Sequence, residues 1–165
     1  RLIDEYRAAG VAPGDVFPQS FERRDVDYWV VHEPEFGKQA MLLDNVIFAP
    51  RSRRLRSYKA AGINIWAPAL PGLLRLDAEG RIVPSRAARA ARAAGLDIIA
   101  WTLERSGNLA APNKGFYYRK FGAAVTREGD VMQVIDVLAR DVGVRGVFSD
   151  WPATVSFYAG CAGLP

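Results

Sequence analysis

The chain has 165 residues, half of them hydrophobic and 24% charged, which is room for one domain with a real core. No apolar run approaches the roughly 18–20 residues that a membrane span requires, and one cysteine, Cys161, excludes an internal disulfide. The net charge of +4 is carried mostly by arginine on expected helix faces, so it reads as solvated surface before it reads as an anion-binding surface.

The opening, residues 1–9, has the mixed charge and spacing of a helix closed by Gly10, and no signal peptide is visible in it. The chain begins at Arg1, and its methionines are Met41 and Met132, which reads as a processed chain or a piece of a longer one. Pro13 and Gly14 predict a turn, and residues 15–19 a short buried strand. Residues 20–33 predict a helix capped by Ser20 and ended by Pro34, with Phe21, Val26, Trp29 and Val30 on its apolar side. Residues 36–50 are ambiguous: a short helix, then an extended stretch over 45–50. Residues 51–61 read as a helix closed by Gly62, and 63–67 as a strand ended by Pro68 and Pro71. Residues 74–84 form a loop or small hairpin turning at Glu79 and Gly80.

Residues 85–94 predict an alanine-arginine helix, with Arg86, Arg89 and Arg92 on an outer stripe and the alanines facing the sheet. Residues 96–103 form an apolar strand, as in a parallel sheet covered on both faces. The stretch 104–128 is long and irregular, a length usually reserved for function. A helix opens at Gly129 and Asp130, a last strand spans 144–149, and a final helix starts near Asp150 with Pro152 in its first turn.

Strand and helix alternate about four times, and an AAG joint recurs before strands at residues 8–10, 60–62 and 93–95. The alternation argues for a parallel sheet built from crossover units. An open α/β sheet and half of a (β/α)8 barrel both satisfy it. No zinc spacing, P-loop or Gly-rich dinucleotide fingerprint appears, and the arginine-rich helices lack the arrangement expected for nucleic acid.

Three strand-end blocks, QSFE at 19–22, WTLERSG at 101–107 and GVFSDWPATVSFYA at 146–159, resemble the glycerophosphodiester phosphodiesterase family in order and spacing. The segments DVDYWVVHEPEFG and KAAGINIWAPAL are similar to its connecting parts. The resemblance covers almost the whole chain and implies a TIM barrel of which residues 1–165 are the C-terminal half, strands five to eight. The reaction implied is hydrolysis of a glycerophosphodiester to glycerol 3-phosphate and an alcohol, through attack by the glycerol 2-hydroxyl and a cyclic phosphate. The family's His-Arg pair, its Glu-x-Asp metal acids and its second histidine have no counterpart here. His32 precedes Glu33-Pro34 and reads as a surface or packing residue.

The expectation is therefore a chain without catalytic residues of its own, inactive alone, that supplies pocket walls. The divalent metal of the full-length family, Ca or Mg, is not assigned to any residue. Its partners are the substrate and either the absent N-terminal half or a second copy paired through open sheet edges. The alternatives are a non-catalytic half-barrel binding or assembly module, and an unrelated open α/β domain. The resemblance to larger exported members implies a periplasmic or secreted location.

Four residues stand out, three at strand ends, which face the active site in a barrel, and one on a loop that emerges at that face. Gln19 is a pocket amide or a buried amide bonded to backbone. Trp101 is the main pocket candidate, sharing its direction with Ile99, while Trp66 is equally a core residue. Asp150 caps the last helix or touches substrate. Tyr117 lies on the long loop with Arg105, Lys114, Tyr118 and Arg119, where a cation could face phosphate.

Overall fold

The computed structural model describes residues 1–45, 52–105 and 107–164. The 45–50 extension and the start of the helix at Arg51 therefore lie, apart from Asn45, outside the described residues. Five strands form one parallel sheet in chain order: β1 (Gln19–Ser20), β2 (Met41–Asp44), β3 (Ile65–Pro68), β6 (Asp97–Ala100) and β7 (Gly146–Val147). A separate antiparallel ribbon, β4 (Leu74–Leu76) and β5 (Ile82–Pro84), is inserted between β3 and β6 and turns through Gly80 at φ 77°.

The half-barrel expectation is corrected. The chain is a small α/β domain with an open five-stranded parallel sheet and a small antiparallel sheet, not strands five to eight of a (β/α)8 barrel. Alternating strands and helices dictate parallel crossover connections. They do not dictate closure, which needs a matched strand number, tilt and stagger. Among the described residues β1 and β7 pair on one side only and remain the two edges. Each is two residues long, which limits the edge as a template for pairing.

The helices are α1 (Leu2–Ala8), α2 (Arg23–His32), α3 (Pro34–Gly37), α4 (Ser52–Ala60), α5 (Leu70–Leu73), α6 (Arg86–Ala93), α7 (Gly115–Tyr118), α8 (Val131–Asp136), which runs into a wider turn over Val137–Val142, and α9 (Pro152–Ala162). Most build a core on one face of the sheet, while Ile3 of α1 and Phe36 of α3 form a separate cluster with Val16. Strand alternation sends Leu42, Trp66, Ile98 and Ala100 into this helix-side core with Leu55, Tyr58, Leu70, Leu73 and Tyr118. Each fully buried leucine contributes roughly 2 kcal/mol by area. Met41, Ile65, Ala67 and Ile99 point the other way and form a smaller cluster with Leu43, Trp101 and Phe148.

Buried polar groups in the helix-side layer are matched. The Trp66 indole N–H donates to Asp44 at 3.0 Å. Tyr118 Oη donates to the Leu103 carbonyl at 3.0 Å and so anchors the long loop after β6. Ser85 caps α6 by accepting from Ala88 N–H at 3.0 Å, and the α6 alanines 87, 88 and 91 face inward as their spacing predicts. Gly37 lets α3 approach α2: a Cβ there would stand 2.5 Å from the Trp29 carbonyl oxygen and 2.7 Å from Val30 Cα.

Several local expectations are revised. The turn expected at Pro13 and Gly14 is a 3-10 turn over Pro13–Asp15, and of the strand expected over residues 15–19 only Gln19 lies in a strand. Pro34 starts α3 instead of merely stopping α2. The strand at 41–44 falls inside the stretch left ambiguous by sequence. No helix among the described residues is long and apolar enough to cross a membrane.

Candidate functional site

In a parallel sheet every carboxyl end lies on the same side, and ligands bind in the crevice outside those ends. A cavity of about 310 Å³ occupies that position. It is lined by Gln19 in β1 and Phe21 just after it, Leu43 on β2, Trp101, Thr102 and Arg105 after β6, Tyr117 on α7, and Phe148, Ser149 and Asp150 after β7. The four residues expected at the site, Gln19, Trp101, Tyr117 and Asp150, all line it.

Their meeting requires a strongly curled sheet. Phe21 and Trp101 follow strands separated by β2 and β3, about 14 Å in a flat sheet. Their rings nevertheless meet edge to face with centroids 5.7 Å apart. At the other end of the strands, Arg145 Nη2 donates to Gln39 Oε1 at 3.1 Å, and its guanidinium lies 5.2 Å from the Phe17 ring centroid. These contacts hold the two edge regions toward each other across the concave face.

Trp101 is fixed on three sides. Its indole N–H donates to the Ala67 carbonyl at 2.7 Å, Phe21 meets one side of the ring, and Tyr117 packs at a 75° interplanar angle with centroids 5.9 Å apart. Trp66 points to the helix side and is wholly buried, so the tryptophan ambiguity resolves in favour of Trp101 at the pocket. Gln19 is exposed, which corrects its reading as a buried amide.

Asp150 is not the cap of α9. That helix has Trp151 at its N-cap position with no side-chain cap, and the Asp150 carboxylate instead accepts from Arg105 Nε at 2.9 Å. The pairing raises the Arg105 guanidinium above its ordinary value, through the hydrogen bond and then the charge of Asp150. Ser20 likewise does not cap α2. It lies in β1, accepts from Glu22 N–H at 3.0 Å and donates to Asp25 at 2.8 Å.

Glu104 is the residue that sequence reasoning missed. One oxygen accepts from the Ser149 hydroxyl at 2.5 Å, and the other accepts from Asp150 N–H at 3.0 Å. Ser149 Oγ in turn accepts from Trp151 N–H at 3.1 Å. Glu104 therefore clamps the turn that presents Asp150. Its signal in the sequence was its place in the WTLERSG block, next to Arg105.

The acids at the pocket do not fit the divalent ion that the resemblance implies. Both oxygens of Glu104 are occupied, Asp150 is paired with Arg105, and among the described residues no group of three or more His, Cys, Asp or Glu side chains is placed to hold a metal. His32 is exposed on α2, its ring 4.6 Å from that of Tyr28, and does not line the cavity. The arrangement is suited to binding: aromatic faces for carbon-bound hydrogen, an amide for hydroxyls, and a cation beside a carboxylate.

No family model matches the chain. It is 47% identical over 171 residues to a protein of Arthroderma benhamiae named "Extracellular protein", a match that spans 99% of this chain and 70% of that protein. At that identity and coverage, the chain belongs to the same family as the Arthroderma benhamiae "Extracellular protein".

Proposed function

We propose that this chain carries the substrate pocket of a phosphodiester hydrolase acting on glycerophosphodiesters, with glycerol 3-phosphate and an alcohol as products. The observation that carries the reading is the convergence of three strand-end blocks, those that resemble the glycerophosphodiester phosphodiesterases, on one cavity through Gln19, Trp101 and Asp150. The Trp101 and Phe21 rings suit the carbon face of a glycerol backbone. The Gln19 amide offers both a donor and an acceptor to hydroxyl groups. Arg105 keeps N–H donors beyond the one given to Asp150, and a phosphate oxygen is a natural acceptor for them.

Hydrolysis also needs groups that move protons. Among the described residues the cavity is lined by no imidazole, and its carboxylate is held by a guanidinium. The proposal therefore assigns binding to residues 1–165 and proton transfer to polypeptide beyond them, so that the chain alone binds without turnover. The name of the Arthroderma benhamiae relative supports a secreted location for this protein.

Calorimetric titration with glycerophosphocholine, followed by phosphorus NMR of the same sample, tests the reading. Saturable binding that Trp101→Ala abolishes and Arg105→Ala weakens is expected, with the ester intact. Absence of binding up to ~10 mM ligand, or binding indifferent to Trp101→Ala, overturns it.

A further inference from the structure

A second depression, of about 450 Å³, lies beside α5 and β4 and is lined by Gly72, Leu74, Arg75, Ser85, Arg86 and Lys120. Three of these six residues are cations and none is an acid. Among the described residues, Arg75, Arg86 and Lys120 enter no ion pair, whereas most arginines elsewhere on the surface have a carboxylate within reach. We propose that this depression is a binding site for a phosphate group, separate from the aromatic cavity.

The walls are built to hold the cations in place. Ser85 Oγ donates to the Gly72 carbonyl at 2.6 Å and accepts from Ala88 N–H, which fixes the start of α6 against α5. Arg75 Nη1 donates to the Leu76 carbonyl at 2.8 Å, which orients the guanidinium and leaves its other N–H groups available. Desolvation, and then repulsion from neighbouring Arg119, lower the Lys120 ammonium below its ordinary value. Arg75, Arg86 and Lys120 line the depression with no acid among them, so an anion placed there meets positive charge from all three. A tetrahedral dianion satisfies several such donors at once, with charge-assisted hydrogen bonds. The buried Leu74 side chain gives the depression an apolar wall, so a phosphate monoester with a carbon substituent fits better than a chloride ion.

The phosphate can be free or the headgroup of a lipid. Inorganic phosphate titrated calorimetrically at low salt probes the first source, and sedimentation with phosphatidic acid vesicles probes the second. Binding to either probe is expected to fall at least ~10-fold in the variant Arg75→Gln/Arg86→Gln/Lys120→Gln, and to weaken as salt rises. These three side chains are exposed, and an unchanged thermal melt checks that the variant stays folded. Trp101→Ala is expected to leave phosphate binding intact, which separates this site from the aromatic cavity. Equal binding by the parent and the triple variant, no binding of either probe, or loss of binding in Trp101→Ala overturns the proposal.

Discussion

Arg105 and Asp150, 45 residues apart in sequence, are joined Nε to Oδ2 at 2.9 Å across the mouth of the cavity. The pair ties the loop that leaves β6 to the turn that enters α9. Both side chains are more than half-exposed or nearly so, and an ion pair in that setting adds little to stability. Its effect is on position. Arg105→Ala and Asp150→Ala are each expected to weaken glycerophosphocholine binding about 10-fold, and the double variant by less than the product of the two, because each residue orients the other. Calorimetry on the four members of the cycle measures this.

Glu104 acts on the same turn from behind. In Glu104→Gln one carboxylate oxygen becomes an NH2 group, and the Ser149 hydroxyl or Asp150 N–H then loses its acceptor. A loss of about 1–2 kcal/mol in urea unfolding is expected.

At Gly37 the backbone of α3 lies directly against that of α2. Any Cβ there meets the backbone of α2 rather than a flexible side chain, so neither neighbour can yield. Gly37→Ala is expected to destabilise by about 1–3 kcal/mol, whereas Gly129→Ala, with open space at the Cβ position, serves as the mild control. Denaturant midpoints compare the two.

Asp44 carries a pH signature. Burial raises its carboxyl above the usual value, against the opposing hydrogen bond from Trp66 and the charge of Arg54. A raised folded-state value means that the native protein binds the proton more tightly than the unfolded chain. The associated stability is present in full below the unfolded value of 3.8 and is lost as pH rises through the raised folded value. Asp44→Asn keeps an oxygen for the Trp66 N–H and removes the charge. Its melting temperature is expected to exceed that of the parent at pH 7, with the gap closing toward pH 3. Thermal melts across that range check the sign.

What the sequence disclosed followed local chemistry. The AAG joints sit where helices end before strands, with Gly10, Gly62 and Gly95 at φ 69°, 84° and 74° as left-handed caps require. The hairpin at Gly80 and the inward alanines of α6 were equally local. The strand at Met41–Asp44 was missed because three apolar residues and an aspartate have no period that separates strand from helix. The barrel expectation failed at a different level, since closure depends on how strands tilt and stagger together and no single strand encodes it. Gln19, Trp101 and Asp150 were selected from strand ends and Tyr117 from the long loop after the Trp101 strand, and all four line one cavity. Glu104 escaped because its partners, Ser149 and Asp150, are distant in sequence.

The cavity draws on residues from Gln19 to Asp150, so every residue between them must leave the ribosome before its walls exist. Contacts of such wide separation form late and slow the search for the native state. Until Phe148 and Asp150 arrive after β7 the cavity lacks one wall, and an incomplete fold that exposes aromatic rings gives chaperones a foothold.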